Sequence, residues 1–268
     1  MIHIVTALSC EAKPLIRHYR LNGQQAENGF RVYENDAMRL IIAGIGKCAA
    51  AAACAYLQGL EPKGKHIWLN LGIAGHATLH VGEPILAHKV IDAATNVAWY
   101  PPMLFTPPCQ TATLISVDQP KTGYDTGVAC DMEASGFYAI ASRFNSYELV
   151  QVFKVISDNH ANPAQQISNK LVQEIIGERL DTLDTLIHQL IELNTLLAAQ
   201  QYKPAIEPFL QRWHFTVTQQ HKLQRLLQRW HALSHSALDV KQFKNEKNSK
   251  GVLGALEEEI AILPLRFG

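Results

Sequence analysis

Short apolar runs alternate with helical periodicities along most of the chain. Ile2–Leu8 is a β-rich run, and Glu11–Tyr19 reads as the helix after it, with Ser9 as the expected N-cap. Pro14 falls in or near the first turn of that helix, where a missing N–H costs least. Phe30–Tyr33 and Met38–Ala43 read as a hairpin turning at Asn35-Asp36, and Cys48–Leu60 as an alanine-rich helix. His66–Gly72 (HIWLNLG) is almost continuously apolar, the pattern of a central strand buried on both faces. Ile85–Ile91, Thr111–Val117 and Leu149–Ile156 are further strands. Trp99-Tyr100-Pro101-Pro102 and Pro107-Pro108 break regular structure between them. That stretch reads as a loop, either lining a pocket or lying on the surface. Lys121–Thr126 is a polar turn. From Pro163 the spacing turns helical, and Ile167–Leu197 carries Leu171, Ile175, Leu183, Leu186 and Leu190 at helical intervals. Strands alternating with helices predict an α/β fold on a mostly parallel or mixed sheet.

The composition shifts after Gln201, which divides the chain into a domain over 1–200 and a helical extension over 201–268. In the extension Leu210-Gln-Arg-Trp-His214 is echoed by Leu227-Gln-Arg-Trp-His231 within a basic helical stretch. Paired Trp and Arg can stack bases. Aromatic residues at helical spacing are more often core, so a packed helical pair is the stronger expectation. His231 and His235 are four apart on one helix face, but with no third ligand in pattern no metal site is expected. Residues 241–251 are polar and read as mobile, Gly254–Ile262 as a last helix and Leu263–Gly268 as a tail.

Composition narrows the picture further. The 268 residues are 47% apolar and 18% charged, enough for a packed core. Lys+Arg and Asp+Glu balance at 24 each, so net charge gives no argument for nucleic acid or an anionic membrane. Five cysteines, odd in number and without CxxC spacing, read with the absence of a signal peptide as reduced thiols in a cytoplasmic protein. No run approaches the ~18 consecutive apolar residues of a membrane span.

The candidate chemistry lies at chain turns. Glu11 sits between a strand and a helix, where it is either a first-turn acid favoured by the helix dipole or a reactive group. Gly44-Ile-Gly-Lys47 enters the alanine-rich helix. Glycines Gly44 and Gly46 there can bring backbone N–H groups to an anion or a water, or simply make a tight turn. It lacks the spacing of a Walker A loop. Gly72-Ile-Ala-Gly-His76 reads as a second glycine-rich turn. Asp131-Met-Glu-Ala134 opens a helix, and Ser157-Asp158-Asn159 ends an apolar strand.

Taken in order, Ile4–Glu11, Gly44–Lys47, Asn70-Leu-Gly-Ile-Ala-Gly75, Val81-Gly-Glu83, Asp131–Ala134 and Ile156–Asn159 resemble the nucleoside phosphorylase/nucleosidase superfamily over roughly residues 1–190. The family includes purine nucleoside phosphorylases and methylthioadenosine/S-adenosylhomocysteine nucleosidases. The resemblance implies a three-layer α/β/α fold with a mixed central sheet and cleavage of a purine nucleoside's N-glycosidic bond. It implies Glu11 as the acid that activates water and Asp158 as the acid serving the leaving base. Glu133 would hold the ribose hydroxyls and Met132 would pack on the sugar, with Ile73, Ala74, Gly75 and Asn159 completing the substrate site. Ile73 stands where the family often has Ser or Thr, His76 replaces a frequent glycine, and no arginine matches the phosphate-binding ones. These departures put hydrolysis ahead of phosphorolysis, and phosphate would be a co-substrate only in a phosphorylase. No metal or cofactor is expected. A homo-oligomer, most simply a dimer, is implied. The rival reading is a catalytically silent member that binds a nucleoside or a partner protein.

Overall fold

The computed structural model describes all residues except 26–28, 63, 121–126, 200–202, 235, 237 and 264–268. The polar turn at 121–126, His235 and the tail beyond Leu263 therefore lie outside the described residues. In chain order the strands are β1 (Ile2–Thr6), β2 (Asn22–Gln25), β3 (Arg31–Glu34), β4 (Met38–Ile42), β5 (Ile67–His76), β6 (Pro84–Asp92), β7 (Ala98–Trp99), β8 (Gln110–Ser116), β9 (Val128–Asp131) and β10 (Val150–Asp158). The helices are α1 (Ser9–His18), α2 (Lys47–Leu60), α3 (Ala134–Phe144), α4 (Asn169–Gly177), α5 (Leu180–Ala199), α6 (Glu207–Leu210), α7 (Val217–Ser234) and α8 (Ser249–Ile262).

All described strands join one mixed sheet in the order β10-β6-β8-β9-β5-β1-β4-β3-β2, with β7 on β6. β1 is buried at every position because it pairs in parallel with β4 on one side and β5 on the other. β10 pairs with β5 as well as β6, so β5, β10, β6, β8 and β9 close into a ring of strands. Closure explains why all nine residues of β10 are buried, including Lys154. Helix α1 packs with α4 and α2 with α3, giving the expected α/β class with helices around the sheet. The approach of α3 to the start of α2 is close: a Cβ on Gly136 would stand 2.1 Å from the Lys47 carbonyl oxygen.

The structure departs from the sequence reading at several points. Residues 72–76 are the last part of β5 rather than a turn, since β10 and β9 continue to pair with them. Leu8, not Ser9, occupies the N-cap of α1, and the Glu11 carboxylate satisfies the Leu8 N–H instead. The polar β2 escapes an apolar pattern because it is the edge strand beyond β3. Within the expected loop, Ala98–Trp99 pairs with Val90–Ile91.

Contacts divide the chain into two compact units, Met1–Thr195 and Leu196–Gly268. The second has its own core, with Phe209, Trp213, Leu223, Phe243, Val252 and Leu256 buried together. Its two RWH triplets are not a helical pair. The first follows α6 in irregular chain, where Trp213 Nε1 donates to the Glu246 carbonyl (2.8 Å), and the second lies in α7. Nor is 241–251 a featureless polar stretch: Phe243 is buried in this core, and Asn248 caps α8 by accepting from the Gly251 N–H. No described helix is long and apolar enough to cross a membrane.

Candidate active site

A cavity of about 180 Å³ opens where the carboxyl ends of β1, β5, β9 and β10 meet the starts of α1 and α3. Glu11, Ile73, Ala74, Gly75, Met132, Glu133 and Asp158 all line it, together with Asp131, Ser157 and apolar Leu8, Ile45, Val117 and Ile167. Four acids thus face one space, and no Lys, Arg or His is among its described lining residues.

Glu11 is at the third position of α1, so its side chain turns back over the end of β1. One carboxylate oxygen accepts from the N–H groups of Ala7 (2.9 Å) and Leu8 (2.8 Å), and the other from Ile73 (3.0 Å) on β5. Gly72 makes this possible, because a Cβ there would lie 2.6 Å from Glu11 Oε1. Burial pushes the Glu11 carboxyl up from its ordinary range; Lys154 and the Leu8 and Ile73 amides pull it back down.

Glu133 precedes α3 and accepts from the Gly46 N–H at 2.8 Å. Burial raises its pKa too, opposed by Lys154 and assisted by the Asp131 charge. In the turn read as an anion or water site, the Gly44 and Gly46 amides are engaged by protein. Gly44 N–H donates to the Ala7 carbonyl and Gly46 N–H holds Glu133, while the Lys47 ammonium lies between Asp92 (2.9 Å) and Asp118 (2.8 Å). The Gly46 amide thus meets a carboxylate of the same chain.

Sequence reasoning gave no role to two charged residues, Asp131 on the cavity wall and its ion-pair partner Lys154. Lys154, on β10, is fully buried and meets Asp131 at 2.9 Å. Burial disfavours its charge, but Asp131, Glu133 and Glu11 outweigh burial and hold the ammonium above the ordinary lysine value. Asp131 also accepts from Ser116 Oγ (2.6 Å) and the Ala134 N–H (2.9 Å). The available signal was a lone lysine in an otherwise apolar strand, VQVFKVISD, since a buried lysine requires a paired acid.

Asp158 ends the same strand, where Ser157 Oγ donates to it. Burial pushes its carboxyl up to about 6. Asn159 does not line the cavity. Its Nδ2 donates to the Leu79 carbonyl (2.7 Å) and its Oδ1 accepts from the Ala161 and Asn162 N–H groups, so it ties down the loop after β10. His76 is likewise structural: Nδ1 accepts from the Thr78 and Leu79 N–H groups.

No family model matches the sequence, and no curated protein matches it. Solved structures do match the fold. The 5′-methylthioadenosine/S-adenosylhomocysteine nucleosidase of Helicobacter pylori is 13% identical over 70% of this chain and 97% of that one, with a TM-score of 0.58. Futalosine hydrolase of the same organism gives 13%, 70%, 97% and 0.58. The 5′-methylthioadenosine nucleosidase of Arabidopsis thaliana gives 16%, 70%, 95% and 0.59. The likeness is one of fold: the chain has the fold of these members of the nucleoside phosphorylase/nucleosidase superfamily.

Proposed function

We propose that the first unit hydrolyses the N-glycosidic bond of a purine nucleoside or thio-nucleoside. The observation that carries this reading is the cavity's charge pattern: four carboxyl groups, apolar walls and no basic side chain among its described lining residues. Such a space favours an uncharged substrate over a nucleotide or inorganic phosphate, because an added anion would meet carboxyl groups and no basic side chain among the described lining residues. Phosphorolysis is disfavoured for the same reason.

The reaction breaks the bond from the anomeric carbon to the base nitrogen, with the bonding electrons leaving on the base. Positive charge develops on the sugar, and the surrounding carboxylates stabilise it. Asp158, raised to about 6, retains a protonated fraction near neutral pH and gives its proton or a hydrogen bond to the departing base. Water attacks the anomeric carbon and passes its proton to Glu11. Burial makes that carboxylate a stronger base than one in water, and the Lys154 charge opposes part of the rise. Glu133, fixed by the Gly46 amide, accepts from the ribose hydroxyls, and Met132 packs against the sugar. Inverting glycosidases use the same two-acid division of labour. No metal or cofactor enters this scheme.

The reading extends to a homodimer in which a second copy covers Ile45, which lines the cavity yet is 58% exposed. It also extends to a cytoplasmic setting, with which five free cysteines are compatible. The test is a panel of purine nucleosides and 5′-thio-nucleosides assayed for free base with and without phosphate. Base release independent of phosphate is expected. No release from any substrate, or release only with phosphate, overturns the proposal.

A further inference from the structure

At the amino ends of β1 and β5, away from the cavity, His3, His66 and Glu61 stand together. One ligand-capable atom from each lies within 4.8 Å of the other two. His3 is fully buried, and neither of its ring nitrogens has a hydrogen-bond partner. His66 is also buried. Its Nε2 meets the Glu61 carbonyl oxygen at 3.1 Å, while Nδ1 has no partner. The two imidazoles are stacked, with centroids 4.5 Å apart and planes 21° apart, and the Trp68 indole meets the His3 ring nearly at right angles. Three buried ring nitrogens in one spot thus lack partners, although buried polar atoms in folded proteins are nearly always satisfied.

We propose that His3, His66 and Glu61 form a binding site for one borderline divalent transition-metal ion, of which zinc is the type. The donor set, two imidazoles and a carboxylate, is the one such ions prefer. When Nε2 of His66 carries the proton it donates to the Glu61 carbonyl, which fixes the tautomer and leaves Nδ1 as a lone-pair donor. Glu61 is oriented in the same way. Arg39 donates to its Oε2 at 2.9 Å, leaving the other carboxylate oxygen for the ion. Arg39 also pairs with Glu34 at 2.7 Å, so one guanidinium faces two carboxylates and the surroundings keep negative charge. The Glu61 side chain is 36% exposed and offers the way in. Tetrahedral ligands at about 2.0–2.1 Å from an ion sit roughly 3.4 Å from one another, and because the two imidazoles are stacked with planes 21° apart, one ring turns out of the stack for both lone pairs to meet one ion.

The experiment uses the full chain, stripped with chelator and titrated with Co²⁺ and then Zn²⁺. Visible absorption, elemental analysis after dialysis and thermal unfolding are the readouts. One equivalent of Co²⁺ with the intense visible bands of four-coordinate cobalt, displaced by Zn²⁺, is expected, with a rise in Tm. His3→Leu removes the unpartnered nitrogens. It is expected to leave the metal-free protein as stable as the parent or more so, and to abolish both the bands and the metal-induced rise. Glu61→Gln, on a partly exposed side chain, keeps the fold and weakens the metal by about 10–100-fold. Absence of a tight equivalent in the parent, or full retention of it in either His3→Leu or Glu61→Gln, overturns the proposal.

Discussion

At the scale of single residues, the site works by setting burial against charge. Asp158 shows it most simply, because burial alone displaces its carboxyl. A shift from 3.8 to about 6 means that ionising this group in the folded protein costs about 3 kcal/mol more than in the unfolded chain. The folded state binds the proton more tightly, so this contribution to stability is greatest below pH 3.8 and falls as pH rises through about 6. Asp158→Asn removes the penalty. Relative to the parent, its stability is expected to increase with pH and level off above about 6, by on the order of 1–3 kcal/mol in denaturant titrations. The same change is expected to lower base release roughly 10²–10⁴-fold. A variant that loses stability at pH 8 would show that the interactions holding the carboxylate, the Ser157 hydrogen bond among them, outweigh the burial penalty.

Lys154 is the opposite case, a single cation facing three acids. Lys154→Met leaves Asp131 buried beside Glu133 and Glu11 without that charge. A loss of about 3–5 kcal/mol is expected. Because Lys154 pulls the Glu11 carboxyl down, its removal is also expected to move the acid limb of the pH–rate profile, set by ionisation of Glu11, to higher pH. Adding Asp131→Asn is expected to recover most of the stability, which calorimetry of the single and double variants would show. The lysine was legible in the sequence as an anomaly within an apolar strand. Its partner was not, because Asp131 lies 23 positions away, as the numbering shows, and only the sheet brings the two together.

At the scale of elements, strand ends and helix starts carry the chemistry, and two close approaches set them in place. Gly72 lets β5 pass against the Glu11 carboxylate, and Gly136 lets α3 pass against the first residue of α2. The second approach also seats Glu133 beside the Gly46 amide. Gly136→Ala places a methyl on the Lys47 backbone carbonyl, and backbone cannot rotate away. The expected loss lies at or above the upper end of about 1–3 kcal/mol, with a larger KM from displacement of Glu133. Thermal unfolding and initial-rate kinetics check the two parts. Gly136 gives no sign of this role in the sequence, where it is one small residue in the helical run Ala-Ser-Gly-Phe-Tyr.

At the scale of the molecule, the first unit contains every lining residue of the cavity, and the second has a separate core. A chain ending at Ala199, which keeps α5 whole, is expected to fold and to retain base release within a few-fold of the parent. Circular dichroism and the base-release assay would check it, and an unfolded or inactive product would show that the second unit is required. The sequence by itself determined what depends on local order. Apolar runs gave most of the strands, helical spacing gave the long helices, and acids at strand–helix junctions marked Glu11, Glu133 and Asp158. Tertiary structure decided what depends on pairing across the sheet. It made residues 72–76 a strand, turned the Gly44–Gly46 turn toward a carboxylate of the chain's own, moved Asn159 out of the cavity, and set Lys154 among three acids. The physical reason is that periodicity reports which side of an element is buried, whereas the partner of a buried charge or a backbone amide is chosen by elements distant in sequence.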